Sequence, residues 1–199
     1  MSSSSSPASR YGALLQGFAF YGAYHSNTIN QLIHAAFVPT IVGSALALLT
    51  GARVPLPPLP APLPAAVSAA ALAAPALAAY YLQLSARSGL PLVGLGAGAG
   101  VLALWAGAEA LVARGGGFAA TWRPALALHL VAWVAQFVGH GAFEGRAPAL
   151  LDNLFDALVM APLFVFIEGI FWCGGLKSFR KAAEAEIATR RASFLARSR

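Results

Sequence analysis

Four histidines, His25, His34, His129 and His140, stand in a 199-residue chain that is 58% hydrophobic and 10% charged. An ionisable side chain inside or beside a lipid-length apolar run is costly enough to mark a functional site by default. Imidazole suits iron and zinc, and histidines joined by a carboxylate, with positions left open, are typical of non-haem Fe(II) oxygenases. Glu144 lies four residues beyond His140. On a continuing helix the two share a face and are spaced to bind one metal. His129, Trp133, Gln136 and His140 follow offsets of four, seven and eleven and form one stripe. His129 nevertheless lies about 16 Å along the axis from His140, too deep to share its ion, and reads as a bundle-facing polar residue.

Two arguments gather the other three histidines. At about 100° per residue, His25 and His34 point to opposite sides of one continuous helix, so they converge only if the chain breaks between them. Ser26-Asn27 is such a break, a helix stop followed by an N-cap. His25 and His34 also lie at the entry of the first apolar span and His140 at the exit of the fourth. Four crossings return the chain to its starting face. The resulting reading is a metal site of His25, His34 and His140, with Glu144 as a carboxylate ligand or catalytic group. The plainer alternative is interhelical hydrogen bonding by each histidine separately. Asn27, Asn30 and Gln136 are placed to orient the imidazoles. Arg146 is placed either to hold a substrate carboxylate bidentately or to pair with Glu144 or Asp152. Glu109 and Glu168 either pair with Arg123, line a cavity, or serve packing and hydrogen bonding.

The elements that must position these residues are membrane helices. A soluble domain carries about 25% charged residues; this chain has far fewer, and they collect between long apolar runs. The expectation is a single all-α membrane domain over residues 1–199, a polytopic bundle of four to five spans. Met1–Arg10 is a Ser-rich flexible start without a cleavable signal. Tyr11–Tyr24 is apolar but too short to cross and reads as an interfacial or packed helix. The spans are Thr28–Leu49, Ala65–Leu84, Leu90–Val112, Pro124–His140 with Pro124 as the first helical residue, and Leu154–Cys173. A polyproline-II connector fills Gly51–Pro64, a loop fills Arg114–Arg123, and a polar stretch fills Phe143–Asn153. Gly94, Gly96, Gly98 and Gly100 lie inside a lipid-length run, which excludes a phosphate loop; Gly94/Gly98 and Gly96/Gly100 are two small-xxx-small packing pairs.

The net charge of +6 is concentrated at the end of the chain. The tail 176–199 carries Lys177, Arg180, Lys181, Arg190, Arg191, Arg197 and Arg199 against Glu184 and Glu186. Leu176, Phe179, Ala183, Ile187 and Phe194 recur there at helical spacing. This is a basic amphipathic helix on an anionic membrane face, or a solvated tail; nucleic acid is not the expected partner. Cys173 is the sole cysteine, so no intramolecular disulfide forms. No Ser-His-Asp set or cysteine-rich site is present.

Two blocks carry a resemblance: YHSNTINQLIHAAFVPTIV over Tyr24–Val42, and WVAQFVGHGAFEGRAPALLDNLFDALVMAPLFVFIEGIF over Trp133–Phe171. They resemble the fungal 2-hydroxy-palmitic acid dioxygenase family, small membrane proteins of the endoplasmic reticulum with plant and bacterial relatives. His25, Asn27, His34 and Pro39 match the first pattern and Gln136 through Leu150 the second. The resemblance implies an Fe(II)-dependent dioxygenase that takes O₂ and a 2-hydroxy fatty acid and shortens the acid by one carbon, a step of phytosphingosine breakdown. It implies an endoplasmic-reticulum membrane, or an inner membrane in a bacterium. His25, His34 and His140 correspond to the family's histidines, Glu144 and Arg146 fall on its motif, and His129 does not. The competing functions are another lipid-modifying membrane metalloenzyme, whose dense HxxxH or HxxHH clusters are missing, and a non-enzymatic metal- or lipid-binding membrane protein. The positive-inside rule places the basic tail in the cytoplasm. Five crossings then put the histidines on the lumenal face, and a re-entrant last segment puts them on the cytoplasmic face.

Overall fold

The computed structural model describes residues 7–58, 60, 62, 64–145 and 154–197. Among them are seven α-helices and one small hairpin. Helix α1 spans Pro7–Gly22, α2 Thr28–Leu49, α3 Ala69–Arg87, α4 Pro91–Arg114, α5 Phe118–Val138, α6 Leu154–Trp172 and α7 Lys177–Arg197; strands β1 and β2 are Arg53–Pro55 and Ala66–Ser68. Four segments are long and apolar enough to cross a bilayer: α2, α3, α4, and α5 extended to Glu144. The expected all-α membrane bundle is therefore what the chain forms.

Local chemistry sets the helix ends. Asn27 caps α2 as expected, its side chain accepting the Ile29 N–H at 2.8 Å. Ser68 caps α3 by accepting the Ala71 N–H at 3.1 Å. That cap moves the second span's start from Ala65 to Ala69. Residues 66–68 pair instead with Arg53–Pro55 in antiparallel register, Val54 opposite Val67. Part of the proline-rich connector is thus a hairpin rather than polyproline II, because its ends meet and satisfy one another's backbone groups.

Pro124 is not the first residue of its helix. Gly116 and Gly117, both at φ 89°, turn the chain earlier, and α5 begins at Phe118. The missing N–H is tolerated within the helix, as it is at Pro39, Pro75 and Pro162. Of the two glycine pairs, only Gly94/Gly98 makes a helix crossing. A Cβ at Gly94 would strike the Tyr81 backbone, and one at Gly98 would sit 3.2 Å from Ala78. This close approach binds α4 to α3. Gly96 instead faces the Phe166 ring of α6, and Gly100 opens onto empty space.

Helices α1, α6 and α7 gather at the histidine end of the bundle. Helix α1, whose start at Pro7 falls within the Met1–Arg10 segment, is packed: Leu14, Leu15, Phe18 and Ala19 are buried. Phe18 meets Phe164 and Phe171 of α6 and Phe179 of α7. The apolar stripe of the basic tail is consequently spent on protein from Leu176 to Ile187, and Phe194 lies outside the described side chains. Phe179 and Ala183 are buried, and Ile187 lies where a Cβ on Gly22 would fall. What α7 presents outward is its charged face, laced by Arg180–Glu184 and Arg190–Glu186 pairs. Leu158 near the start of α6 and Trp172 at its finish each line a cavity that borders His25.

Candidate metal centre

Three elements deliver three imidazoles. His25 ends the turn after α1, bonding its N–H to Gly22 O at 3.1 Å. His34 lies in the second turn of α2. His140 lies in a π-helical turn, Gly139–Glu144, that continues α5. All three are buried, and their ligating nitrogens lie within 4.8 Å of one another. The ring centres are 4.3 Å (His25–His34), 4.8 Å (His25–His140) and 5.0 Å (His34–His140) apart. The break at Ser26-Asn27 is what lets His25 turn back to face His34.

The protons do not suffice for the contacts. His25 Nδ1 lies 2.7 Å from Tyr21 O, and His34 Nδ1 lies 2.9 Å from Asn30 O. Each carbonyl requires an N–H, which fixes both rings with the proton on Nδ1. The two Nε2 atoms then face each other at 3.1 Å with lone pairs only. Two neutral rings hold two protons for three short contacts, an arrangement that a bound cation would complete. Burial, and then the neighbouring His34, hold His25 well below the usual histidine range, which disfavours a proton as that cation. A metal fits: two nitrogens about 2.1 Å from one ion stand about 3.0–3.4 Å apart.

Glu144 is placed elsewhere. Its carboxylate accepts from Ser26 N (2.6 Å), Ser26 Oγ (2.8 Å), Asn27 N (2.8 Å) and Asn30 Nδ2 (3.2 Å). This clasp sets a negative charge at the positive end of α2 and ties the π-helical turn to the segment that carries His25 and His34. The described donor set is therefore three imidazoles, without the carboxylate that the i, i+4 spacing offered. His140 thus stands in a π-helical turn, a feature that recurs at functional sites. The turn closes at Gly145, whose φ of 64° lets its N–H reach His140 O. Gly139 has no room for a side chain, because a Cβ there would collide with Asn30 Oδ1.

The expected orienting residues divide. Asn30 orients His34, but through its backbone carbonyl. Asn27 serves as cap and as clasp donor. Gln136 is buried beside the centre, and its Nε2 has no hydrogen-bond partner among the described residues. Arg146 and Asp152 lie outside the described residues. Glu109 accepts from Ser68 Oγ and Trp105 Nε1, a packing role, whereas Glu168 lines a polar cleft. Tyr21 was not foreseen: besides accepting from His25 it stacks on the imidazole, 4.1 Å between centres and 3° between planes. The spacing Tyr21–His25 equals Asn30–His34, but His25 lies past its helix end, where an i−4 acceptor is not expected.

His129 has a complete set of partners. Trp133 Nε1 donates to its Nε2 at 3.0 Å, so its proton sits on Nδ1 and is donated to Ser44 Oγ at 2.9 Å. Ser44 Oγ passes its own proton to Thr40 O at 2.7 Å.

The match to known proteins falls on this same framework. Residues 12–171 match the family described as 2-hydroxy-palmitic acid dioxygenase Mpo1-like. The chain belongs to the Mpo1-like family. It is 33% identical over 168 residues to the 2-hydroxy-palmitic acid dioxygenase MPO1 of Saccharomyces cerevisiae, covering 84% of this chain and 86% of the yeast protein. No solved structure matches. The Mpo1-like region starts within α1 and ends at Phe171, so it takes in all three histidines and leaves α7 outside.

Proposed function

We propose that the chain is an Fe(II)-dependent dioxygenase that shortens membrane-held 2-hydroxy fatty acids by one carbon. The observation that carries the reading is the His25–His34 contact, two lone pairs aimed at one point, with His140 alongside, in a member of a family that includes a 2-hydroxy-palmitic acid dioxygenase. Bound Fe(II) would supply the redox chemistry that O₂ requires and that zinc lacks. His25, His34 and His140 hold it. The overall change balances as 2-hydroxy acid plus O₂ giving the acid one carbon shorter, CO₂ and water.

The remaining residues bind and orient. Glu144 acts as a positioning residue, holding the two sides of the centre in register. The buried Gln136 amide offers an N–H to an oxygen of the 2-hydroxy-carboxylate head; a buried donor without a partner costs about 1–3 kcal/mol, so ligand binding relieves it. Arg146 takes the carboxylate. The cavity at the centre is walled by Tyr21, Val38, Ile41, Phe137 and Pro162, which keeps water from the reacting carbon. We assign the step to sphingolipid long-chain-base breakdown in the endoplasmic-reticulum membrane.

The centre faces the cytoplasm on this reading. His25 and Ser26 share a polar cleft with Arg180, Glu184 and Arg191 of α7, so the basic helix and the histidines occupy one face. Four crossings without α6 fit both that juxtaposition and the positive-inside rule. Cys173, exposed at the end of α6, tests it: in sealed vesicles with the cytoplasmic face outward, an impermeant maleimide should label it without lysis, and labelling only after lysis would reverse the orientation. Activity is tested by O₂ uptake with 2-hydroxypalmitate in iron-loaded protein. His140→Ala should lose uptake; equal uptake by both proteins, or full uptake after chelation and iron-free dialysis, would remove the proposed centre.

A further inference from the structure

Two cavities border His25, and they differ in kind. One is the polar cleft under α7, with Glu168, Arg180, Glu184 and Arg191 in its wall. The other is apolar and continues. It shares Val38, Val42 and Pro162 with a second apolar groove between α2, α4 and α6, whose far walls are Ala97, Val101, Leu104 and Val165. Val38 and Val42 follow His34 at offsets of four and eight, so they descend its own face, about 6 and 12 Å below the imidazole. Leu104 reaches the level of Gly43: a Cβ built there sits 3.8 Å from Leu104 Cδ2. The groove thus leads from the histidines into the depth of the bundle. Gly100 lines it and has no atom within 4 Å of where a Cβ would be.

We propose that this groove holds the acyl chain of the substrate, and that Gly100 keeps it open. The proposal rests on the reading of the centre as a 2-hydroxy fatty acid site, and it adds where the tail goes. A polar head at the histidines and an apolar chain cannot exchange places, because the other cavity at His25 is lined with charges. An acyl chain leaving the bilayer for the groove exchanges one apolar environment for another. The hydrophobic effect therefore contributes little, and the groove acts by register: it fixes which carbon stands at the centre. A large side chain at position 100 would fill the groove at about the level of Pro39, one turn shallower than Leu104, without touching the histidines.

The test uses full-length protein in bilayer nanodiscs and a 2-hydroxyhexadecanoate probe with a terminal diazirine. Photolysis should place adducts on Val101, Leu104 or Val165; adducts confined to outward-facing residues such as Leu92, Leu111 or Leu130 would overturn the assignment. Gly100→Trp should abolish the groove adducts. It should also lower turnover of 2-hydroxypalmitate relative to 2-hydroxyoctanoate by at least 10-fold. Gly107→Trp, on the same helix, equally open but outside the groove, should change neither. Unchanged adducts in Gly100→Trp, or the same losses in Gly107→Trp, would contradict the proposal. Groove adducts without turnover of any 2-hydroxy acid would leave the groove standing and sink the reading of the reaction.

Discussion

The histidine deep in α5 and the histidine pair where α1 meets α2 use the same side chain for opposite purposes. At depth, His129 is one link in a chain of donors and acceptors from Trp133 through Ser44 to Thr40, and every proton has a place. At the membrane face, the His25–His34 pair has three short contacts and two protons. A histidine whose partners account for its protons fits a structural role; a pair one proton short fits the site of a cation. Burial alone separates neither case from the other, and the proton count does.

The strongest way to break this contrast is to remove rings in each region. His34→Ala should lower metal affinity by well over 100-fold and abolish O₂ uptake, since it leaves one lone pair where two converged. His129→Ala should leave metal affinity within about 3-fold. Its cost is in stability, about 0.6–1.7 kcal/mol for an interhelical hydrogen bond in a membrane, read by thermal or denaturant unfolding in detergent. A His129 variant that loses metal as His34→Ala does would erase the distinction between the two regions.

Glu144 sharpens the contrast from outside the proposed ligand set. Glu144→Ala removes the four-bond clasp that holds the π-helical turn against the start of α2. Loss of an orienting partner of this kind costs about 10–100-fold in metal affinity, to be measured by competition with a chelator. Glu144→Gln keeps one acceptor oxygen and should fall between. An effect as complete as that of His34→Ala would make Glu144 a ligand rather than a positioning residue. Asn27→Ala comes last: an N-cap contributes about 1 kcal/mol, so stability should drop by that amount while metal affinity moves only a few-fold.

The same contrast marks what could be read from the amino-acid sequence. The spans followed from lipid-length apolar runs, and their even number brought His34 and His140 to one face. The separation of His129 followed from helical rise alone. Other features depended on contacts between distant segments. Glu144 shares a helix with His140, but its carboxylate is drawn to the N–H groups at the start of α2, more than a hundred residues away. The hairpin of Arg53–Pro55 with Ala66–Ser68 was hidden by prolines that signal an extended chain without naming its partner. The apolar stripe of α7 gave the helix its period, and only packing showed that α1, not lipid, covers it.

The central claim is that three histidines share one ion. Metal content per chain, by elemental analysis after iron loading and desalting, tests it most directly, with the intact protein beside the four single histidine variants. One equivalent should be found in the intact protein and in His129→Ala, and a small fraction of it in His25→Ala, His34→Ala and His140→Ala. Equal retention in His25→Ala or His34→Ala, or no metal in the intact protein, would contradict the account.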